Sequence, residues 1–288
     1  MILSDSWRDF SVIDAGHCGA GTSGEKLERW GRFVLRRPDP QAIWPRGDNA
    51  LWYKPDAHYI RAETGGGQWD FHTALPESWR INWNNHKFIV RPTGFKHTGL
   101  FPEQAANWEW MLGQISKIEK PAKILNLFGY TGAATAVLAA AGAEVTHVDA
   151  AKGVVAWAKE NLSINTQESN VRWIVDDCRK FIQREIRREK RYDAILLDPP
   201  SYGRGQNGEL WKLEDDIAEF LALCAQLLSD EPLFVLLNSY TTGLQPAVLH
   251  NLLKTALPKG VITADELGLP VEERGLVLPC GAVGRWVA

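Results

Sequence analysis

The sequence predicts an α/β protein with a doubly wound, Rossmann-like sheet over residues 96–288, preceded by a small β-rich domain over residues 1–95. Three observations predict it. Beyond residue 100, short apolar runs alternate with helical segments of ten or more residues, the pattern of parallel strands joined by crossover helices. Before it, aromatic and β-branched runs are broken by Pro, Asp-Asn and "GGGQ". A chain of 288 residues is also long enough for a large domain with a smaller appendage.

In chain order, "DFSVIDAG", "RWGRFVLRRPDPQAIW", "LWYKPDAHYIRAET" and "WRINWNNHKFIVRP" supply the strands of the β unit. "PEQAANWEWMLGQISKI" has helical spacing, and "KPAKILNLFGYTGAATAVLAAAGAEVTHVDA" reads as strand, Gly-containing turn, Ala-rich helix and strand. Then "GVVAWAKENLSINT" is a helix, "VRWIVDD" a strand, "CRKFIQREIRREK" a helix and "YDAILLDPP" a strand. "EDDIAEFLALCAQLLS", "PLFVLLNSY" and "AVLHNLLKTAL" continue as helix, strand and helix, and "GLVLPCGAVGRWVA" predicts a closing antiparallel hairpin at the sheet edge. The run "REIRREKR" reads as a solvated helix face.

Bulk composition narrows the function classes. With 35 acidic and 32 basic residues, a net charge of −3 gives no global positive field, so any nucleic-acid contact must use a local patch. Clustering of Arg29, Arg32, Arg36, Arg37, Arg80, Lys87, Arg91, Lys96 and Arg204 on one face would favour RNA. Cys18, Cys178, Cys224 and Cys280 form no C-x-x-C pair, which points to reduced thiols, no disulfide framework and no metal. The start "MILSDSWRDFSVIDAG" lacks the features of a signal peptide, and no stretch reaches the ~18 apolar residues of a membrane span. The expectation is a cytoplasmic protein with no membrane partner, as monomer or homodimer. Nine of the thirteen tryptophans precede residue 111. They suit the core of a small sheet better than base stacking, the alternative use of such rings.

Ligands of open α/β sheets bind outside the carboxyl ends of the strands, and four such ends here carry polar groups. After "ILNLF" come Gly129, Tyr130, Thr131 and Gly132, a turn that lets the backbone approach a ligand before a helix start. Asp149 closes the next strand, where a carboxylate can accept from both hydroxyls of a ribose or cap the following helix. Asp176, Asp177 and Cys178 end the third strand; Asp177 is the candidate adenine contact, with helix capping the alternative for one of the two acids. The fourth end is Asp198-Pro199-Pro200-Ser201-Tyr202, whose prolines stop the strand and stiffen the turn. The turn F-G-Y-T-G is not G-x-G-x-x-G, which argues against NAD.

Taken together, "NLFGYTGAATAVLAAAGAEVTHVDAAKGVVAWAKEN", "VDDCRKFI" and "YDAILLDPPSYG" resemble the class I S-adenosylmethionine-dependent methyltransferases, in particular the branch containing the large-subunit ribosomal RNA methyltransferases. The similarity extends upstream to "HKFIVRPTGFKHTGLFPEQAANW" and covers about residues 86–240. It implies that Phe128, Gly129, Tyr130, Thr131 and Gly132 wrap the methionine of S-adenosylmethionine, that Asp149 holds the ribose, and that Ala150 is a further cofactor contact. It further implies that Asp177 and Cys178 hold the adenine, that Asp198 faces the amino acid and reacting methyl, and that Thr98, Gly99, Leu100 and Phe101 cover the site.

Two departures stand out. After Phe101 come Pro102, Glu103, Gln104 and Ala105, so an arginine common in that branch is absent. Members that methylate cytosine carbon-5 need a thiolate to add to the ring, whereas Ser201 and "LLNSYTTG" offer no cysteine, so that route is disfavoured. The expected activity is methylation of RNA, in particular ribosomal RNA, at a base nitrogen, with S-adenosylhomocysteine as product. A protein or small-molecule acceptor, or a non-catalytic cofactor- or RNA-binding module on the same fold, is the alternative. Asp198, with Pro199 and Pro200 fixing its turn, would orient the acceptor; Tyr202 would pack on it and Arg204 contact a phosphate, although both suit simple loop closure as well. Asn238 is a further candidate acceptor contact, or a cap.

Overall fold

The computed structural model describes residues 1–19, 21–62, 66–94, 96–167, 170–204 and 210–288, without the Arg204 side chain. The chain divides into two compact units: a small one of Ile2–Ala106 and Leu267–Cys280, and a large one of Met1, Asn107–Glu266 and Gly281–Ala288.

The small unit holds β1 (Ile2–Leu3), β2 (Phe10–Gly16), β3 (Glu25–Trp30), β4 (Phe33–Pro38), β5 (Ala57–Arg61), β6 (Gly67–Phe71), β7 (Trp79–Trp83) and β8 (His86–Val90). β2, β3 and β4 pair antiparallel, β5 joins β4 in parallel and β6 closes on β5. Their alternating side chains build two cores. On one face Ile13, Leu27 and Val34 pack with Trp52. On the other, Phe10 meets Trp30 at 4.8 Å and Trp7 at 5.9 Å, and Trp7 meets Trp83 and Phe88 of the separate β7–β8 hairpin. The indole N–H groups of Trp7, Trp30, Trp44, Trp52, Trp69, Trp79 and Trp83 each donate to a backbone or side-chain oxygen. Trp30, Trp52 and Trp83 are fully buried core members, while Trp7, Trp44, Trp69 and Trp79 are partly buried.

The large unit contains α1 (Ala105–Ile115, from Asn107 on), β9 (Lys123–Leu127), α2 (Ala133–Ala140), β10 (Glu144–Asp149), α3 (Lys152–Ser163), β11 (Asn170–Val175), α4 (Cys178–Arg187), β12 (Ala194–Leu197), β13 (Tyr202–Arg204), β14 (Leu210–Lys212), α5 (Leu213–Ala225), β15 (Phe234–Ser239) and α6 (Pro246–Ala256). β16 (Val261–Val271) and β17 (Leu276–Val287) follow, each divided between the units. The strand order is β11-β10-β9-β12-β15-β17-β16. β9 to β12 and β15 are parallel, and β17 runs antiparallel to β15.

Near-continuous apolar strands such as "AILL" reflect burial on both faces. Toward one face, Leu125, Leu127, Ile195, Leu197, Val235 and Leu237 pack with α4, α5 and α6 through Phe181, Ile217, Phe220, Leu249 and Leu253. Each such side chain contributes about 1.5–3 kcal/mol on burial. Toward the other face, Phe234 packs on Trp110 of α1 at 5.1 Å, and Asn126 bonds Thr135 of α2 at 2.9 Å. Order reverses between β9 and β12, so the carboxyl ends of those two strands flank the switch point where ligands of such sheets bind.

The carboxyl terminus departs from expectation. Residues 276–287 form one strand rather than a hairpin, its neighbour β16 was not read from the sequence, and β17 lies inside the order rather than at its edge. Two glycines of this strand serve close approach: a Cβ on Gly284 would stand 2.7 Å from Leu253 Cδ1 of α6, and one on Gly281 would stand 2.8 Å from the Ser239 carbonyl oxygen.

Candidate functional site at the strand ends

The loop after β9 is wound by three left-handed residues in five, Phe128 (φ 57°), Tyr130 (φ 49°) and Gly132 (φ 74°). Such conformations cost non-glycine residues energy and persist only where the surroundings fix them. Here they are fixed by amides: Gly129 N–H donates to the Val148 carbonyl at 3.0 Å, Gly132 N–H to the Gly129 carbonyl at 3.0 Å, and Asn161 of α3 donates from Nδ2 to the Thr131 carbonyl at 2.8 Å. Glycine is required twice. A Cβ on Gly129 would lie 2.4 Å from Cε1 of His147, and one on Gly132 would lie 2.6 Å from the Ala158 Cβ. The loop is therefore pressed against the buried His147 imidazole, whose Nδ1 is 2.9 Å from Thr135 Oγ1. Burial drives that imidazole down to about 3, leaving it neutral.

Asp149 at the end of β10 binds this loop. Its Oδ2 accepts from Tyr130 N–H at 3.0 Å and its Oδ1 from Ala151 N–H at 2.9 Å. Each oxygen keeps a second lone pair, so the carboxylate can still accept from a diol. Burial raises its pKa against the pull of the two amides. Asp149 is not the cap of α3: that position belongs to Ala151, which has no side-chain cap bond.

At the third strand end the acids divide their tasks. Asp177 caps α4, its Oδ1 accepting from Lys180 N–H at 2.9 Å, while Asp176 accepts from Asp177 N–H at 2.8 Å and pairs with Arg184. The capping alternative thus falls on Asp177, where it engages one of two oxygens. Cys178, buried, meets the Phe128 backbone amide, and burial pushes its thiol well above the usual range.

The end of β12 is held differently. Asp198 is half-buried, Pro199 buried and Pro200 exposed. The Pro200 carbonyl accepts from Trp211 Nε1 at 2.7 Å, the Ser201 carbonyl from Leu213 N–H at 3.1 Å, and the Ser201 hydroxyl from Thr241 Oγ1 at 2.6 Å. β13 and β14 then pair Tyr202 with Lys212. Trp211 packs 5.4 Å from Phe128 and 5.3 Å from Phe220, so one ring joins the turn after β12 to the loop after β9. Tyr202 is 55% exposed, and the Arg204 side chain lies outside the described residues.

One step beyond the paired residues Leu197 and Leu237 stand Asp198 and Asn238, neighbours at the switch-point edge. Asn238 is 3% exposed; its Oδ1 accepts from Asn107 Nδ2 at 3.1 Å, and Asn107 Oδ1 accepts from Arg285 Nη2 at 2.6 Å and Nε at 3.1 Å. Guanidinium groups only donate, so Arg285 fixes the polarity of the chain: the Asn107 oxygen faces Arg285, its nitrogen faces Asn238, and the Asn238 amide nitrogen is turned away from Asn107. Burial lowers Arg285 to about 10, and its guanidinium lies 5.0 Å over the Trp110 ring.

Phe128 to Gly132, Asp149, Asp177, Cys178, Asp198 and Asn238 all stand at carboxyl ends of the large-unit sheet, as does Ala150 just past β10. Thr98, Gly99, Leu100 and Phe101 belong to the small unit, where Thr98 and Leu100 are buried. Sequence reading missed His147, Trp211, Thr241, Asn107 and Arg285. Only "THVD" carried a signal, a histidine on an otherwise apolar strand next to the acid. Among the described residues, no group of three or more His, Cys, Asp or Glu is arranged to hold a metal, and no helix is long and apolar enough to cross a membrane.

A sequence model of the S-adenosylmethionine-dependent methyltransferases matches residues 57–248. Among curated relatives, Ribosomal RNA large subunit methyltransferase K/L of Shewanella baltica is 35% identical over 146 residues, 50% of this chain but 20% of that protein, so the chain spans about a fifth of the relative's length. Among solved structures, an S-adenosylmethionine-dependent methyltransferase from Agrobacterium tumefaciens superposes with a TM-score of 0.93 at 38% identity, over 99% of this chain and 92% of that one. SMU.776, solved in complex with S-adenosylhomocysteine, shares the fold at a TM-score of 0.71 and 19% identity, over 96% of this chain and 76% of that one.

Proposed function

We propose that this chain, which belongs to the S-adenosylmethionine-dependent methyltransferase family, methylates a base nitrogen of RNA, with ribosomal RNA of the large subunit as the acceptor class. The observation that carries the RNA acceptor is the match over half of the chain to proteins named for large-subunit ribosomal RNA. The nitrogen target rests on the acceptor edge itself. Neither the turn after β12, with Ser201, nor "LLNSYTTG" at the end of β15 offers a ring-adding cysteine, and Cys178 and Cys224 are buried with thiol pKa values raised by that burial.

The residues at the switch point fit the cofactor's chemistry. The β9 loop offers backbone in left-handed geometry to the methionine part, Asp149 with Ala150 beside it offers acceptors to the ribose hydroxyls, and Asp177 with Cys178 lies where the adenine would fall. S-adenosylmethionine, when bound, supplies an electrophilic methyl on a sulfonium. Methyl transfer from it needs in-line alignment more than covalent help. Asp198, held by the two prolines and beside Asn238, accepts a hydrogen bond from the acceptor nitrogen and sets its approach, while Tyr202 packs on the base.

Labelled S-adenosylmethionine offered separately to ribosomal subunits, total RNA, protein extract and metabolites tests the reading. Label in a nitrogen-methylated nucleoside of ribosomal RNA is the expected result. Label in protein or in a small molecule overturns the RNA acceptor, and label at a pyrimidine carbon-5 overturns the nitrogen chemistry.

A further inference from the structure

Of the nine cations of the candidate RNA patch, the structure separates five, and the Arg204 side chain lies outside the described residues. Arg37 is buried, with Nε and Nη2 on the Glu28 carboxylate at 2.7 and 2.9 Å, and Arg36 pairs with Glu25. Arg29 alternates with the inward Trp30 on β3 and so points to the face that carries Leu27. Arg32 and Arg80 are exposed, and Arg8, which the sequence reading did not single out, joins them.

Three segments of the small unit meet at this place. Gly31 N–H donates to the Asp9 carbonyl at 2.6 Å, the Asn82 amide donates to the Asp9 carboxylate at 2.9 Å, and Trp79 Nε1 donates to the Trp30 carbonyl at 3.0 Å. A Cβ on Gly31 would lie 3.8 Å from both Trp79 and Ile81. Arg32 stacks 4.8 Å over Phe33, and Phe33 packs edge-on to Trp79 at 5.0 Å. The inward side chains of β7 and β8 are Trp79, Ile81, Trp83, Phe88 and Val90; the outward ones are Arg80 and Asn82, with Lys87 opposite Asn82 in register. Asp9 is the sole acid in residues 8–9, 30–33 and 79–89, and its carboxylate is held by Asn82. Among the described residues, Arg8, Arg32 and Arg80 have no carboxylate partner. Asn84 and Asn85 stand exposed at the hairpin tip.

The geometry points to this outer face of the β7–β8 hairpin, with the β3–β4 turn and Arg8, as a binding surface for the phosphodiester backbone of the RNA acceptor. This inference rests on the RNA reading above. Arginine is suited to phosphate because its planar fork donates two parallel hydrogen bonds, and it remains charged at every working pH. The surrounding asparagines add donors and acceptors for sugars or splayed bases. A chain with net charge −3 would need a local concentration of cations of this kind to meet a polyanion.

The test is a fluorescence-anisotropy titration of the full chain with labelled ribosomal RNA fragments over a range of KCl concentrations, run beside methyl transfer to the same RNA. Arg32→Glu/Arg80→Glu is compared with Arg32→Gln/Arg80→Gln and with Arg29→Glu, a matched charge reversal on the opposite face. S-adenosylhomocysteine binding and the melting temperature report folding. The expected result is RNA binding weakened about 100-fold by the double reversal and about 10-fold by the double neutralisation, with the salt slope lowered by about two. Arg29→Glu should stay within about threefold. If the wild type methylates RNA and the double variants bind it as tightly, the surface is wrong and the RNA reading stands. If the wild type neither binds nor methylates RNA, that reading fails and the surface falls with it.

Discussion

The loop after β9 and the turn after β12 leave adjacent strands of one sheet, yet they are held by different means. The first is fixed by main-chain bonds: the Gly129, Tyr130 and Gly132 amides are bonded, Tyr130 to the Asp149 carboxylate that also takes Ala151. The second is held by side chains from elsewhere in the chain, Trp211 on Pro200 and Thr241 on Ser201, and its neighbour Asn238 at the end of β15 is held by Asn107 with Arg285 behind it. A loop held through its own main-chain amides and carbonyls presents backbone groups to a ligand, as suits an invariant cofactor. A side-chain-built edge can be altered residue by residue, which suits an acceptor that differs among enzymes of one fold.

The strongest challenge to this contrast is Asp149→Ala, which removes the acceptor of two loop amides and the proposed ribose contact together. Affinity for S-adenosylhomocysteine, read by calorimetry, should fall at least about 100-fold, or about 3 kcal/mol. Near-normal affinity would mean the loop does not depend on this carboxylate. Asn107→Leu should act on the other edge, leaving the Asn238 oxygen and the Arg285 guanidinium short of a partner at a cost of about 2–3 kcal/mol in stability. Cofactor affinity should change less than about twofold while methyl transfer drops. Loss of both to the same extent would show that the two edges are not separable.

Gly129→Ala forces a methyl into the His147 ring and should destabilise the chain by about 2 kcal/mol in a denaturant melt. Most of that should return in Gly129→Ala/His147→Ala, where the ring is gone; no recovery would place the strain elsewhere. A smaller effect follows from the same imidazole. The unfolded chain takes up this proton as pH falls through about 6.5, the folded one only near 3, so between those values the unfolded state binds more protons and acid destabilises. From about pH 7 to pH 5.5 this group accounts for about 1 kcal/mol of lost stability, and His147→Asn should flatten that part of the profile. Least of all, Tyr202→Phe should keep transfer within about twofold if the ring rather than the hydroxyl packs on the acceptor; a tenfold loss would assign the hydroxyl a direct contact.

How far each edge was legible in the sequence follows the same division. Phe128 to Gly132 and Asp149 could be read because a glycine turn and a strand-end acid are local signals, and they fall at consecutive strand ends once the βαβ pattern is seen. Asp177 was ambiguous by nature, since a cap and a ligand contact ask for the same residue type, and the carboxylate does cap α4. Trp211 gave no sign of its role because its partners Phe128 and Pro200 are set by a hairpin closing over distance. Asn107 and Arg285 lie 178 residues apart, and no periodicity joins them.

The sequence alone determined the alternation of strands and helices, the acids that close β10, β11 and β12, and the absence of a cysteine at the acceptor edge, because these depend on neighbours within a few positions. Only the tertiary structure decided that residues 276–287 form one strand, that His147 lies under Gly129, that Arg285 sets the polarity of the Asn238 amide, and that Arg8, Arg32 and Arg80 are exposed while Arg36 and Arg37 are turned inward to acids. Those outcomes depend on which distant backbones pack together, and a carboxylate, an amide or a guanidinium acquires its role from what stands opposite it.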